Sequence, residues 1–266
     1  MEKSPVTPIH RTSDHAMSEV EWRTRVDLAA FYRLVDHFGW TDLIYNHLSA
    51  RIPDATNTYL VNRYGLMFEE ITASNLITVD AESGAVLPRP GSAGAERNEA
   101  VHVLHGSVLR SRPDLMCLAH VHTPAIMAVS AMEGGLFPIT QTAMGLMGLL
   151  GYHDYGFDDA ACDRLVHDFA TADIVILRNH GVLIGGTTIA EAFVHLHNFE
   201  FACKAQVAAV ANRDGCIVPP KSVLEQHVAV VDRWMERAGG PRDGRECIEW
   251  QACLRMLERR GIDYAI

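Results

Sequence analysis

The stretch Leu118-Ala119-His120-Val121-His122-Thr123-Pro124 constrains this chain more than any other. Flanked by Leu115 and Met116, it reads as a short strand. Side chains alternate across a strand, so His120 and His122 point the same way. Two neutral imidazoles on one face suit a transition metal. A third donor stands in Arg178-Asn179-His180-Gly181, where the apolar run Ile174, Val175, Ile176, Leu177 ends in a turn-like segment. The metal reading requires a scaffold that carries His180 onto the His120/His122 pair. The competing reading is a set of satisfied structural histidines, because 14 His make chance pairs. His195-Leu196-His197 is such a pair. It lies in an expected helix, where two residues subtend about 200°, so its rings diverge.

The rest of the composition narrows the partners. With 266 residues, 48% hydrophobic and 21% charged, the chain has ample material for one large core. A net charge of −10 and no Lys/Arg cluster argue against nucleic acid, which needs concentrated positive charge. No apolar run approaches the roughly 20 residues that cross a bilayer. Residues 1–13 lack the apolar centre of a signal peptide, so a cytoplasmic protein without a membrane partner is expected. Cysteines 117, 162, 203, 216, 247 and 253 form no C-x-x-C pair, and no disulfide framework is expected.

Taken in order, residues 1–18 read as a tail. Ser18-Glu19-Val20-Glu21 is a capping box opening a helix that Gly39 ends. Residues 40–51 turn into a strand, and Tyr59-Leu60-Val61-Asn62 is a second. Ile77-Thr78-Val79-Asp80 and Ala85-Val86-Leu87 flank a hairpin turn. A continuous helix is expected over 96–110, then the histidine strand, then a helix started by Pro124. Gly145, Gly148 and Gly151 lie three apart, but no Gly-Lys-Ser/Thr follows, so they read as close-packing glycines. A helix is expected over 158–171 and a long buried one from the capping box at Thr188-Ile189-Ala190-Glu191 to about 212. Pro219-Pro220 separates the main domain, 19–213, from a helical extension, 217–266, with helices over 222–237 and 246–259. Short strands and helices without a βαβ rhythm indicate an α/β fold with a mixed, mainly antiparallel sheet covered by helices.

Several segments carry a family resemblance together. They are Gly39-Trp40-Thr41-Asp42-Leu43-Ile44-Tyr45-Asn46-His47-Leu48-Ser49-Ala50-Arg51, then Tyr64-Gly65-Leu66-Met67-Phe68-Glu69-Glu70-Ile71-Thr72, then His105 through Arg112-Pro113-Asp114, and the two histidine segments. In this order, over about 190 residues, residues 22–212 resemble the class II aldolase/adducin head family. The resemblance implies a three-layer fold with a central sheet between helices. It also implies a homotetramer with active sites at subunit interfaces, and a divalent ion on His120, His122 and His180. Zinc is the first expectation for that ion, with manganese or iron as alternatives.

The departures from the family pattern are chemical. The sugar-phosphate aldolases carry Ser-Ser-Glu where this chain has Glu99-Ala100-Val101. Val101 cannot move a proton, and Glu99 would repel a phosphate. Their Gly-Asn-x-Ser phosphate loop matches Asn46-His47-Leu48-Ser49, without its Gly. These losses resemble the adducin-like branch, whose namesake is cytoskeletal. The expected function is therefore a metal-dependent lyase, decarboxylase before aldolase, on a non-phosphorylated hydroxy- or keto-acid carboxylate. The alternatives are an Fe(II) oxygenase on the same histidines, with Glu99 as its carboxylate, and a non-catalytic interaction protein. Glu99, His102, and Tyr152 or Tyr155 are the acid/base candidates, Tyr155 because family aldolases protonate with a neighbouring subunit's tyrosine. Asn46, His47 and Arg63 are candidates for a carboxylate pocket, and His105 reads as a packing residue.

Overall fold

A computed structural model describes residues 17–89, 92, 94–154, 156, 160–211, 215–237 and 247–266. Ser18 opens helix α1 (Glu19–His37), its hydroxyl accepting from the Glu21 amide at 3.0 Å. The strands are β1 (His47–Ile52), β2 (Ala55–Val61), β3 (Ile77–Asp80), β4 (Cys117–Val121), β5 (Leu150–His153), β6 (Ile174–Leu177) and β7 (Gly181–Gly186). They form one seven-stranded sheet, in the order β3-β2-β1-β4-β7-β6-β5. All neighbours are antiparallel except the parallel pair β5 and β6. The remaining helices are α2 (Glu99–Val101), α3 (Ser107–Ser111), α4 (Pro124–Ser130), α5 (Gln141–Leu146), α6 (Ala161–Asp168), α7 (Ile189–Val210), α8 (Lys221–Arg237) and α9 (Ile248–Arg259).

Strand alternation sorts the sheet into two faces. Leu48, Ala50 and Ile52 of β1, with Cys117, Ala119 and Val121 of β4, join a core shared with α1, α4, α7 and α9. The opposite face buries Tyr59, Val61, Leu118, Val175 and Leu183 against Val101, Val108 and Leu165 from α2, α3 and α6. The result is a three-layer α/β fold. His47, Ser49 and His120 occupy the second face, so the site is built on the strands themselves. The extension is packed back onto the domain: Trp250 of α9 is 2% exposed and meets Phe193 with ring centroids 5.5 Å apart.

Three local expectations differ from the structure. The helix expected over 96–110 is α2, then a π-helical turn over His102–Gly106, then α3. Asn98 caps the start late, its side chain accepting from the Ala100 amide at 3.0 Å. The π turn adds a residue to the repeat, so His102 and His105 face different neighbours. The glycine-spaced run holds α5, a 3-10 turn and the edge strand β5. Only its last glycine is a packing glycine: a Cβ on Gly151 would lie 2.9 Å from the Ala172 side chain, whereas Gly148 faces open space. The helix expected from residue 158 runs over Ala161–Asp168, and residues 157–159 lie outside the described ones.

A very close backbone approach comes where β7 meets α7. A Cβ on Gly186 would sit 2.4 Å from the Ala192 amide nitrogen, which is backbone and cannot step aside. Gly186→Ala is expected to cost about 2 kcal/mol or more, a fall in Tm of roughly 4 °C or more. Gly148→Ala is the matched control and is expected to leave Tm unchanged. A thermal melt of both variants checks the contrast.

Candidate metal centre

The site forms where β4 runs out and the β6–β7 turn crosses above it. His120 is the penultimate residue of β4, and His122 follows its end. Thr123 then caps α4, accepting from the Ile126 amide at 3.2 Å, with Pro124 at the first helical position. On the neighbouring strands, Asn179 takes a left-handed backbone at φ 58 and turns β6 into β7. Its amide donates to the Ser130 carbonyl at 3.1 Å, which anchors the turn. Gly181 lets β7 close up on β4, because a Cβ there would lie 2.7 Å from the Val121 carbonyl oxygen. His180 thereby reaches the pair, with its ring stacked 5.1 Å from His122 and edge-on to His120 at 4.9 Å.

One ligand atom from each of His120, His122 and His180 lies within 4.8 Å of the other two. His120 is 2% exposed, while His122 and His180 are half-buried, so the cluster opens to solvent on their side. Hydrogen bonds decide which nitrogens carry protons. His120 Nδ1 faces the Val182 carbonyl at 2.9 Å, and a carbonyl only accepts. His122 Nδ1 faces an Asp42 carboxylate oxygen at 3.1 Å. Both Nδ1 atoms therefore hold hydrogen, and both Nε2 atoms present lone pairs. Those two Nε2 atoms stand 3.0 Å apart. Two lone pairs so close repel each other in the absence of a cation, and metal–imidazole bonds of about 2.0–2.1 Å span that gap. The donor set fits a divalent ion.

Electrostatics point the same way. Burial pushes His120 well below the ordinary imidazole range, with neighbouring His47, His122 and His180 adding to the shift. Burial pushes His180 down to about 4. Burial also lowers His122, against the opposing pull of Asp42. Neutral imidazole is the ligand form.

Asp42, which the sequence alone does not place here, also joins the cluster. It sits in the turn after α1, where Leu43 holds φ 45 and the Tyr45 amide closes on the Asp42 carbonyl at 2.9 Å. A left-handed leucine costs about 1–2 kcal/mol, and here it occupies the turn that presents the carboxylate. Nothing in the spacing of Trp40-Thr41-Asp42-Leu43 links this turn to His122, 80 residues away. Asp42→Asn keeps a hydrogen-bonding group but removes the charge that fixes the His122 tautomer. It is expected to weaken zinc affinity about 10- to 100-fold, read by competition against a zinc chelator.

The acid/base candidates have other surroundings. The Glu99 side chain is 90% exposed and pairs with Arg97 at 3.1 Å, on the rim of a 570 Å³ cavity with Tyr64 and Gly84. His102 packs between Gly84 and Gly106, a consequence of the π turn. Neither joins the triad. Tyr152 lies under the Arg178 guanidinium, 4.4 Å from its ring centre. Tyr155 lies outside the described residues. Among the pocket candidates, Asn46 donates to the Trp40 carbonyl at 2.9 Å and Arg63 to the Gly94 carbonyl at 3.4 Å. His47 instead meets His105, Nδ1 to Nε2 at 2.9 Å, and His105 Nδ1 meets Ser49 Oγ at 2.6 Å. Val101, where the resemblance would place a proton-transfer Glu, is fully buried among Tyr59, Val61 and Val79.

Residues 26–207 match the family model described as Class II Aldolase and Adducin N-terminal domain. A crystal structure of an aldolase II superfamily protein from Pseudomonas syringae superposes with a TM-score of 0.86, at 38% identity, over 94% of this chain and 98% of that one. A Caulobacter vibrioides protein, named provisionally as an aldolase class 2 protein, is 37% identical over 94% of each chain. Alpha-adducin of Rattus norvegicus is 38% identical over 97% of this chain, which spans 36% of that longer protein. Fold, triad and relatives agree: the chain belongs to the class II aldolase and adducin family.

Proposed function

We propose that the chain is a divalent-metal-dependent carbon–carbon lyase acting on a non-phosphorylated hydroxy- or keto-acid, with decarboxylation favoured over aldol cleavage. The observation that carries this reading is the convergence of His120, His122 and His180 around a solvent-facing opening. Neutral ligands leave a bound ion its full charge. When bound, such an ion supplies electrostatic stabilisation of the negative charge that develops on a substrate oxygen as the bond breaks. The chain supplies the rest. His120 and His122 are locked as acceptors by Val182 and Asp42, so the site needs no reorganisation to receive the ion.

The missing proton-transfer group selects between the two lyase reactions. Retro-aldol cleavage needs a base for the substrate hydroxyl before the bond breaks, and Val101 cannot serve. Loss of CO₂ needs no such base. Glu99 is unsuited to act as a carboxylate ligand for iron, since it points to solvent beside Arg97. Zinc as the ion and a homotetrameric assembly belong to the same reading and rest on the family resemblance, and a cytoplasmic setting belongs to it on the composition of the N-terminal residues. Among the described residues no helix is long and apolar enough to cross a membrane.

The test is a screen of aliphatic and aromatic hydroxy- and keto-acids against protein loaded with Zn, Mn or Fe(II), reading CO₂, aldehyde and oxygen. CO₂ release that depends on His180 is the expected result. Oxygen consumption would favour the oxygenase, and a silent screen with every metal would favour an adducin-like binding role. Fuculose and rhamnulose phosphates are expected to be inert, and efficient cleavage of either would contradict the proposal.

A further inference from the structure

Beside the triad, Ser49 Oγ, His105 and His47 form a buried hydrogen-bonded chain that the lyase reading leaves unused. All three residues are at most 1% exposed. Cross-strand pairing of β1 with β4 sets His47 directly opposite His120, which puts both rings on one face of the sheet. Their ring centroids are 4.9 Å apart. From this juxtaposition we infer that His47 presents an Nε2–H to the opening of the triad and donates it to a carboxylate or carbonyl oxygen of the ligand. It is a substrate-orienting donor and not a fourth metal ligand.

The argument is a count of hydrogens. Among the described residues, His105 Nδ1 is the sole partner of Ser49 Oγ. Were Ser49 to accept from His105, its own hydroxyl hydrogen would be sealed in the interior with no acceptor, an arrangement that folded proteins avoid. Ser49 therefore donates, and His105 Nδ1 is bare. His105 then carries its hydrogen on Nε2 and gives it to His47 Nδ1. A neutral His47 with an accepting Nδ1 holds its hydrogen on Nε2, on the side of the ring away from His105. The same count gives His120 and His122 the opposite tautomer, with Nε2 bare, because their Nδ1 atoms face a carbonyl and a carboxylate. The partners behind each ring thus divide adjacent histidines of similar placement into metal ligands and a hydrogen donor. The π turn over His102–Gly106 is the device that aims His105 at β1.

The inference rests on the metal reading above, and the experiment separates the two. Zinc-loaded wild type is titrated with oxalate by calorimetry, alongside His47→Asn, His47→Gln and Ser49→Ala. Asparagine reaches His105 but leaves no donor at the Nε2 position, whereas glutamine places an N–H there. His47→Asn is expected to lose about tenfold or more in oxalate affinity with zinc affinity unchanged. His47→Gln is expected to recover most of the loss. Independently, long-range proton–nitrogen NMR of His-labelled wild type is expected to show His47 as the Nε2–H tautomer, and Ser49→Ala to show a mixture. His47 as the Nδ1–H tautomer, or undiminished oxalate binding by His47→Asn, would overturn the inference and leave the metal reading intact. A zinc-loaded wild type that takes no oxalate would likewise overturn the inference alone, whereas failure of the wild type to hold zinc would overturn the metal reading and this inference with it.

Discussion

Alanine at His120 or His122 is expected to abolish tight divalent-metal binding, lowering bound zinc from about one ion per chain to a trace. Catalytic zinc sites keep three protein ligands. Among the described residues, no carboxylate or cysteine joins His120, His122 and His180 as a further ligand to the same ion. The loss has a stability readout. Zinc at 100 times its dissociation constant stabilises a folded chain by about 2.7 kcal/mol. That increment, visible as a zinc-dependent rise in Tm, is expected in the wild type and absent from both variants. The two differ without metal. His120→Ala removes a buried hydrogen bond to the Val182 carbonyl and leaves a cavity on the sheet face, and is expected to cost about 1–3 kcal/mol on its own. His122→Ala leaves a partly exposed Asp42 that water can serve. Metal content by mass spectrometry and paired melts check both statements. A zinc-dependent rise in Tm that survives either change would reject the site.

Acid is expected to unfold the metal-free protein earlier than its carboxylates alone would require. Burial, the leading cause, holds His47, His105 and His120 well below their unfolded value, and neighbouring histidines add to it. The folded chain keeps these rings neutral while the unfolded chain protonates them near pH 6.5. Their contribution to stability is therefore fully present above about pH 6.5 and is lost as pH falls toward the depressed folded values. Each imidazole contributes a slope of about 1.4 kcal/mol per pH unit, so the three approach about 4. Set against a typical stability of about 5–15 kcal/mol, that slope removes a large share of it within two or three pH units. Urea unfolding with a chelator at pH 7.5, 6.5 and 5.5 measures it. His105→Gln, which keeps the hydrogen bonding but cannot be charged, is expected to flatten the slope by about one proton. A slope below one proton in the wild type would contradict this account of the buried cluster.

The triad was legible because each part obeys a local rule. His120 and His122 follow strand alternation, and His180 follows a short β-branched apolar run of the kind that forms a buried strand. The matched segments supplied the order of the layers. What stayed hidden depends on register between distant segments. Asp42 reaches His122 through a turn held by a left-handed Leu43, which no composition signal announces. The Ser49–His105–His47 chain exists because β1 pairs with β4 and a π turn re-aims His105, and neither fact is local to any of the three residues. The candidates Glu99 and His102 lie away from the triad, Glu99 beside Arg97 in solvent and His102 against Gly84 and Gly106, and helix periodicity does not encode either placement. Strand β5 escaped notice because Leu150-Gly151-Tyr152-His153 holds no β-branched residue and carries a glycine inside it.

The most direct test of the central claim is anomalous diffraction from zinc-loaded crystals soaked with a short hydroxy- or keto-acid. The account predicts one ion bound by the Nε2 atoms of His120 and His122 together with His180, at about 2.0–2.1 Å, with the soaked acid filling its remaining positions. An ion bound elsewhere, or one closed off by a fourth protein ligand, would contradict it.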